Sequence, residues 1–80
     1  MVKVVVEVVD YNTLKPVDGA FVSIGAVSGT TRDGKVTLNV SPGTHTIKIT
    51  HRNYDPIVDS ILVNRPKKFT YRMIPLVKIL

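Results

Sequence analysis

Two histidines are the first residues of this sequence that could do chemistry. His45 and His51 lie six positions apart in the segment 44–51, where polar and β-branched residues alternate as they do in a strand. A strand rises about 3.3 Å per residue, so the two rings would lie about 20 Å apart and could not share one metal ion. We therefore predict structural roles for both, with His45 near the core and His51 at a strand end.

Five aspartates invite a cation site or an acid–base pair. They are Asp10, Asp18, Asp33, Asp55 and Asp59, and their spacing does not match an EF-hand loop. Asp18 and Asp33 each precede a glycine, which is the arrangement of an Asx turn. Asp10 ends the first strand candidate and is expected to cap turn amides. The sequence therefore predicts no metal site and no cofactor.

Serine hydroxyls are the remaining candidate nucleophiles. Nucleophilic catalysis requires a neighbouring base and a group that orients the base. The four serines, at positions 23, 28, 41 and 60, lie in no G-x-S-x-G elbow. We therefore predict no catalytic residue and expect that the protein is not an enzyme.

Basic residues give the chain a net charge of +5. The densest group lies in the segment "NRPKK", which contains Arg65, Lys67 and Lys68. Lys48 and Arg72 are predicted to point outward from two strands. Exposed cations attract anionic partners. Two interpretations therefore stay open, a solvated turn and a recognition site for an anionic glycan or another polyanion.

A nucleic acid is the less favoured anionic partner. Nucleic-acid platforms combine basic residues with exposed aromatic rings that stack on bases. Here Phe69 and Tyr71 share one predicted strand face with Met73, whereas Lys68 and Arg72 lie on the other face. We expect the rings in the core, where they cannot stack on bases.

The elements that position these residues are indicated by composition and by alternation with period 2. Apolar residues make up 44% of the 80 residues, mostly Val and Ile, and no cysteine is present for a disulfide or thiolate site. The longest apolar run is interrupted by Glu7, so no segment approaches the about 20 residues of a membrane span. The predicted strands cover residues 2–10, 20–26, 35–40, 44–51, 57–63 and 68–74.

Six short strands separated by turn signals predict an all-β fold, a single small antiparallel β-sandwich of six to seven strands. Residues 27–34 are predicted to form a polar loop. Turns are predicted at Gly19, Gly34, Pro42 and Gly43, and positive φ angles are expected at Gly34 and Gly43. The predicted core consists of Val4, Val6, Val8, Val22, Ile24, Val36, Leu38, Ile47, Ile49, Ile61, Val63, Phe69 and Tyr71.

The C-terminal segment 76–80 is predicted to lie outside a sandwich domain formed by residues 1–75. Pro75 ends the preceding strand, and the sequence after it is too apolar for a free end. The segment is expected to add an edge strand, to dock on a neighbouring chain and so form an oligomer, or to serve as a linker. The contact residues predicted here are Leu76, Val77, Ile79 and Leu80.

The order of turn residues and strands resembles the carboxypeptidase regulatory-like superfamily of transthyretin-like and immunoglobulin-like β-sandwiches. The likeness covers about residues 4–75. Two positions depart from the family pattern, because His45 takes a usual aromatic position and Asn53 a usual glycine position. The matching residues are Asp10, Pro16, Gly19, Ala20, Val22, Thr31, Gly34, Pro42, Gly43 and Tyr54.

The resemblance implies a non-catalytic structural or interaction module within an exported or surface-exposed assembly. Its implied partner is a protein or a neighbouring domain that binds through sheet edges, in an extracellular or cell-surface location. The resemblance also offers a transthyretin-like small-molecule hydrolase as an alternative. That enzyme's C-terminal Tyr-Arg-Gly-Ser is matched here only at Tyr71 and Arg72, which argues against the hydrolase.

Overall fold

A computed structural model of the chain describes residues 1–76 and contains seven β-strands within them, with no helix in that range. Because no helix occurs among these residues, none of them forms a helical membrane span. The strands are β1 (Val2–Asp10), β2 (Phe21–Ile24), β3 (Val27–Thr30), β4 (Lys35–Val40), β5 (Gly43–His51), β6 (Tyr54–Val63) and β7 (Lys67–Met73).

The strands form two sheets, which we call sheet A and sheet B. Sheet A has the order β4-β1-β7 and sheet B the order β3-β2-β5-β6. This arrangement confirms the predicted all-β sandwich. One pair differs from the antiparallel expectation, because β1 and β7 run parallel, with Val4 opposite Lys67 and Asp10 opposite Met73. Parallel neighbours need a long connection, and here all the intervening strands supply it.

The prediction of a polar loop for residues 27–34 is wrong for the first half of that range. Val27–Thr30 forms β3, which pairs with β2 in a hairpin. The turn is Gly25-Ala26, with φ of 58° at Gly25, which suits a turn that has glycine at its first central position. Similarly, the turn predicted before residue 57 is shorter than expected. Strand β6 begins at Tyr54 and contains a bulge opposite Ile49 and His51.

The core lies between the two sheets and contains two apolar residues from outside the strands, Ala20, directly before β2, and Val17. Its neighbours Pro16 and Asp18 gave this region the pattern of a turn, so the sequence did not predict its burial. Three predicted core residues, Val36, Phe69 and Tyr71, are only partly buried and pack at its margin. The buried apolar residues are Val4, Val6, Val8, Val17, Ala20, Val22, Ile24, Leu38, Val40, Ile47, Ile49, Ile61, Val63 and Met73.

Two turn glycines adopt conformations that other residues avoid. Gly34 has φ of 77° and is packed so closely that a Cβ atom would lie 2.6 Å from Cβ of Pro16. Gly43, which follows Pro42, has φ of 135° but no heavy atom within 4 Å of the corresponding position. Gly34 is therefore required by both conformation and packing, and Gly43 by conformation alone.

The sandwich closes differently at its two lateral sides. On the closed side, formed by β3, β4 and the connection 31–34, buried Thr31 binds the connection between β1 and β2. Its Oγ1 donates to the Val17 carbonyl oxygen at 2.7 Å and accepts the Ala20 N–H at 3.0 Å. The open side is formed by β6, β7 and the turn 64–66, where the Tyr71 hydroxyl donates to Asp59 Oδ2 at 3.2 Å.

Candidate interaction surfaces

Asp10 organises the turn that follows β1. Its Oδ1 accepts the N–H groups of Asn12 at 2.8 Å and Thr13 at 3.1 Å, and its Oδ2 accepts the Tyr54 hydroxyl at 2.8 Å. The hydrogen bond from the Thr13 amide, followed by that from Tyr54, lowers the pKa of Asp10. The same bond to Asp10 raises the pKa of Tyr54. Asp10 thus caps turn amides, as the sequence predicts.

A cleft of about 650 Å³ lies at the same end of the sandwich. The ring of His51 is held there by two hydrogen bonds. Its Nδ1 accepts the Asn53 N–H at 3.1 Å, so Nε2 carries the proton and donates to the Asp18 carbonyl oxygen at 3.0 Å. The Asp18 carboxylate in turn accepts the Gly34 N–H at 2.8 Å. The cleft is lined by Asp18, Gly19, Thr50, His51, Arg52, Tyr54 and Pro56.

These bonds determine what the cleft can do chemically. The imidazole of His51, the carboxylate of Asp18 and the hydroxyl of Tyr54 all bind other parts of the chain. General acid–base catalysis needs such groups to converge on a substrate. In this structure they hold the turns together. His45 also serves the backbone, because its Nε2 lies 2.7 Å from the Ser41 carbonyl oxygen. Residues 1–76 contain no cluster of three or more His, Cys, Asp or Glu that could hold a metal ion.

The outer surface of sheet A is basic, and we call it the basic face. Its cations are Lys3, Lys35, Lys68 and Arg72, which the strand register places on the side opposite the buried valines. Glu7 lies among them, with carboxylate oxygens 3.8 Å from Lys35 Nζ and 3.4 Å from Lys68 Nζ. The basic face therefore carries four cations and one carboxylate among the described residues, so its net charge is positive.

The outer surface of sheet B has almost no charge, and we call it the neutral face. It presents three exposed apolar side chains, with exposed fractions of 66% for Val58, 58% for Leu62 and 48% for Phe21. Hydroxyl side chains occupy most of the other positions, and Lys48 is the one ionisable residue among the described residues of this face. Its residues are Phe21, Ser23, Ser28, Thr30, Thr44, Thr46, Lys48, Thr50, Val58, Ser60 and Leu62.

The five cations predicted to contact an anionic partner do not form one surface. Lys48 lies on the neutral face, whereas Lys68 and Arg72 lie on the basic face. Arg65 lies in the turn between β6 and β7, and Lys67 begins β7, with its Nζ 5.2 Å from the centre of the Phe69 ring. Of the five residues, Lys68 and Arg72 are therefore the pair that shares the basic face.

Residues 74–76 continue beyond β7 and pair with the start of β6. The Asp55 N–H donates to the Ile74 carbonyl oxygen at 2.8 Å, and the Leu76 N–H donates to the Asn53 carbonyl oxygen at 3.0 Å. This short pairing is antiparallel and is centred on Tyr54 and Pro75. The other contact residues that the sequence predicts in the segment 76–80 are Val77, Ile79 and Leu80, and they lie outside the described residues.

Asp59 is a feature of the open side that sequence reasoning missed. It lies on β6 opposite buried Ile47, between Ile57 and Ile61 of the same strand face, yet it is exposed. Burial of Tyr71, reinforced by the charge of Asp59 and the hydrogen bond to it, raises the pKa of Tyr71 to about 12. The signal in the sequence was an acidic residue at an inward position of a strand.

Comparisons with known proteins support the fold more than a particular family. No family model matches the sequence, and the search of curated proteins finds no match either. Two solved structures of the type II cohesin–X–dockerin complex from Acetivibrio cellulolyticus each contain a similar chain. The match in the C-terminal interface mutant has a TM-score of 0.73 and 25% identity, and that in the N-terminal interface mutant has 0.68 and 26%.

Both matches cover 88% of this chain and 52% of the other chain, so this protein spans about half the length of the chains it resembles. A third structure, the Caf1A usher C-terminal domain, matches 91% of this chain and 97% of its own, with a TM-score of 0.55 and 10% identity. That likeness concerns the fold alone. The comparisons therefore support a small all-β sandwich consistent with an immunoglobulin-like fold, and they do not confirm the carboxypeptidase regulatory-like superfamily.

Proposed function

We propose that this protein is a non-catalytic interaction module that binds a partner protein through the neutral face of sheet B. The observation that carries the proposal is the distribution of charge. The chain has 11 Lys and Arg and 6 Asp and Glu, yet the neutral face presents only Lys48. The centres of protein interfaces are depleted of charged residues, since a buried charge must lose its hydration.

The composition of the neutral face supports the same proposal. Val58, Leu62 and Phe21 supply apolar area, and short hydroxyl side chains lie between them. Threonine and serine lose little side-chain entropy on binding compared with Lys or Glu, and their hydroxyl groups can donate or accept. A partner that fits this face is largely neutral and places a carboxylate near Lys48.

The structural likeness adds support of a second kind. The two similar chains come from complexes whose interfaces were mutated, which fits a module that works by binding other proteins. Because this chain spans about half of each, we propose that it acts as one unit of a larger assembly, exported or displayed at the cell surface. The groups of the cleft are engaged in structural bonds, which supports a role without catalysis.

Site-specific photo-crosslinking in the native host tests the neutral face. A photoreactive amino acid at Thr46, near the centre of that face, is expected to capture one protein that the same amino acid at Thr37 does not. Thr37 is the matched control because it is exposed on the outer surface of sheet A. Equal capture from both positions, or none from Thr46, would refute the proposal.

A charge placed on the neutral face provides the quantitative version of this test. Thr46→Arg should weaken binding of the captured protein by about tenfold or more, because the interface would bury an unpaired charge. Thr37→Arg should leave the affinity within about twofold. Both variants should remain folded, since both positions are exposed.

A second function, recognition of an anionic glycan or other polyanion, is favoured by the basic face. Lys68 and Arg72 lie there, and Arg65 and Lys67 are close in the chain. If these residues bind a polyanion, retention on immobilised heparin should fall steeply with salt. Lys68→Glu should reduce retention, and Lys48→Glu should reduce it much less, because Lys48 lies on the opposite face. Equal loss from the two variants would indicate attraction by net charge alone.

A further inference from the structure

Strand β6 forms a free edge of sheet B on the open side of the sandwich. It has 10 residues, more than any other strand of the described chain. Within residues 1–76, no strand of sheet B lies beyond it. Unpaired N–H and C=O groups along such an edge can accept an additional strand from another protein.

One end of this edge already binds an additional segment. Residues 74–76 pair with residues 53–55 through two backbone hydrogen bonds of 2.8 and 3.0 Å. The pairing is antiparallel, so from Ile74 to Leu76 the segment runs toward Asn53 and away from the rest of β6. The stretch Ile57–Val63 remains as the part of the edge that a strand from outside could occupy.

The charge of β6 is opposite to that of the chain. The strand contains Asp55 and Asp59 and no Lys or Arg, although the protein has a net charge of +5. Exposed edges are often protected by lysines, and this edge has a carboxylate instead. The Asp59 carboxylate accepts the Ser60 N–H at 2.8 Å and the Tyr71 hydroxyl at 3.2 Å. No cation pairs with Asp59 among the described residues.

We propose that the edge Ile57–Val63 accepts an extended strand of a partner protein that presents a Lys or Arg to Asp59. The inference rests on the proposed function insofar as the chain binds proteins, but it assigns a different surface. Opposite charges on neighbouring strands stabilise the pairing, and like charges weaken it. Backbone hydrogen bonds would hold the added strand, and the pairing of its Lys or Arg with Asp59 would make the edge prefer a basic strand over a neutral or acidic one.

A second copy of this chain fits the edge less well. Pairing of two β6 edges would bring a second Asp59 to the same edge, and the two carboxylates would repel each other. Asp59 therefore acts against self-pairing and in favour of a basic partner. An added strand would also lie beside Val58 and Leu62 and would extend the neutral face.

Three short peptides test the proposal. Each alternates valine with threonine, and they differ only in a central Lys, Gln or Glu. Binding is followed by NMR through the backbone amides of the intact protein. The Lys peptide should shift the amides of Ile57–Val63, and its Kd should be about fivefold lower than that of the Glu peptide. Absence of these shifts, or equal affinity for the two peptides, would overturn the proposal.

Three variants separate the charge of Asp59 from general effects. Asp59→Lys should reverse the preference, so that the Glu peptide binds more tightly, and Asp59→Asn should remove it. Asp55→Lys is the matched control, because it makes the same charge change on the part of the edge that residues 74–76 already cover. If Asp55→Lys reverses the preference between the peptides, or if Asp59→Lys does not, the charge of Asp59 does not determine which peptide the edge binds.

Two further measurements distinguish this inference from the proposed function. Thr46→Arg should leave peptide binding intact, because Thr46 lies on the neutral face and not on the edge. If the photoreactive amino acid at Thr46 captures no protein but the Lys peptide still binds, the proposal for the neutral face is refuted and the proposal for the edge is not. Sedimentation tests whether a second copy of this chain occupies the edge. Self-association together with protection of the β6 amides would assign the edge to a second copy and overturn the proposal.

Discussion

The closed and open sides of the sandwich join the same two sheets by different means. On the closed side, Thr31 makes two buried hydrogen bonds, and Gly34 packs directly against Pro16. On the open side, an exposed bond from the Tyr71 hydroxyl to the Asp59 carboxylate joins the two edge strands, and the backbone pairing of residues 74–76 with residues 53–55 adds a connection at one end. The comparison indicates that buried bonds and close packing hold the closed side together, whereas the open side leaves Ile57–Val63 of β6 without a neighbouring strand on its outer edge among the described residues.

The comparison predicts the largest loss of stability for Gly34→Val on the closed side. A valine there would combine an unfavourable φ of 77° with a Cβ atom 2.6 Å from Pro16 Cβ. We expect the free energy of unfolding to fall by about 3–5 kcal/mol. Gly43→Val is the control, because it has the conformational cost without the contact and should lose about 1–2 kcal/mol. Equal losses in urea unfolding would contradict the role given to packing.

Thr31→Val tests the buried hydrogen bonds of the same side. Valine has nearly the shape of threonine, but it would leave the Val17 carbonyl oxygen and the Ala20 N–H without their partner. We expect a loss of about 2–4 kcal/mol in the free energy of unfolding. The exposed neighbour Thr30 provides the control, and Thr30→Val should change stability by less than about 0.5 kcal/mol.

On the open side, Tyr71→Phe should have a smaller effect. The variant removes the hydroxyl that bonds to Asp59 at 3.2 Å and retains the ring that packs against the core. We expect a loss of about 0.5–1.5 kcal/mol. Tyr11→Phe, at an exposed ring, serves as the control for denaturant unfolding. A loss as large as that of Thr31→Val would mean that the open side is as important for stability as the closed one.

Alkaline pH provides the smallest and most specific test of the open side. The pKa of Tyr71 is raised to about 12 in the folded protein from 10.0. Because the pKa is raised on folding, the stability that the protonated Tyr71 hydroxyl contributes is fully present below about pH 10 and is lost as the pH rises toward about 12. Wild type should therefore lose more stability than Tyr71→Phe between about pH 9 and about pH 11. Parallel losses would show that Tyr71 does not cause the pH dependence.

The strands and most of the core could be predicted because one face of each strand is buried. Alternation identified Val4, Val6 and Val8, and the same rule assigned Thr46 and Lys48 to the outside. The short strand β3 escaped the rule, since its residues Val-Ser-Gly-Thr are mostly small and polar. Alternation is also the same for parallel and antiparallel strands, so it could not predict the direction of the β1–β7 pair.

The candidate surfaces were harder to predict because they depend on which strands are neighbours. Lys48 and Arg72 both alternate outward, but one belongs to sheet B and the other to sheet A. The neutral face likewise combines residues of β2, β3, β5 and β6, which a strand pattern alone does not bring together. Asp59 could have been noticed as an acidic residue at an inward position, but only the topology shows that its strand is an edge.

The parallel pairing of β1 and β7 also determines how the domain bears mechanical load. The chain enters β1 at Val2, near Val40, and leaves β7 at Met73, beside Asp10 at the opposite end of sheet A. The two strands are hydrogen-bonded neighbours over the whole stretch from Val4 to Asp10. A force that pulls on the two ends therefore slides the strands past each other and loads all these bonds together in shear, so that they resist it jointly and do not open one by one.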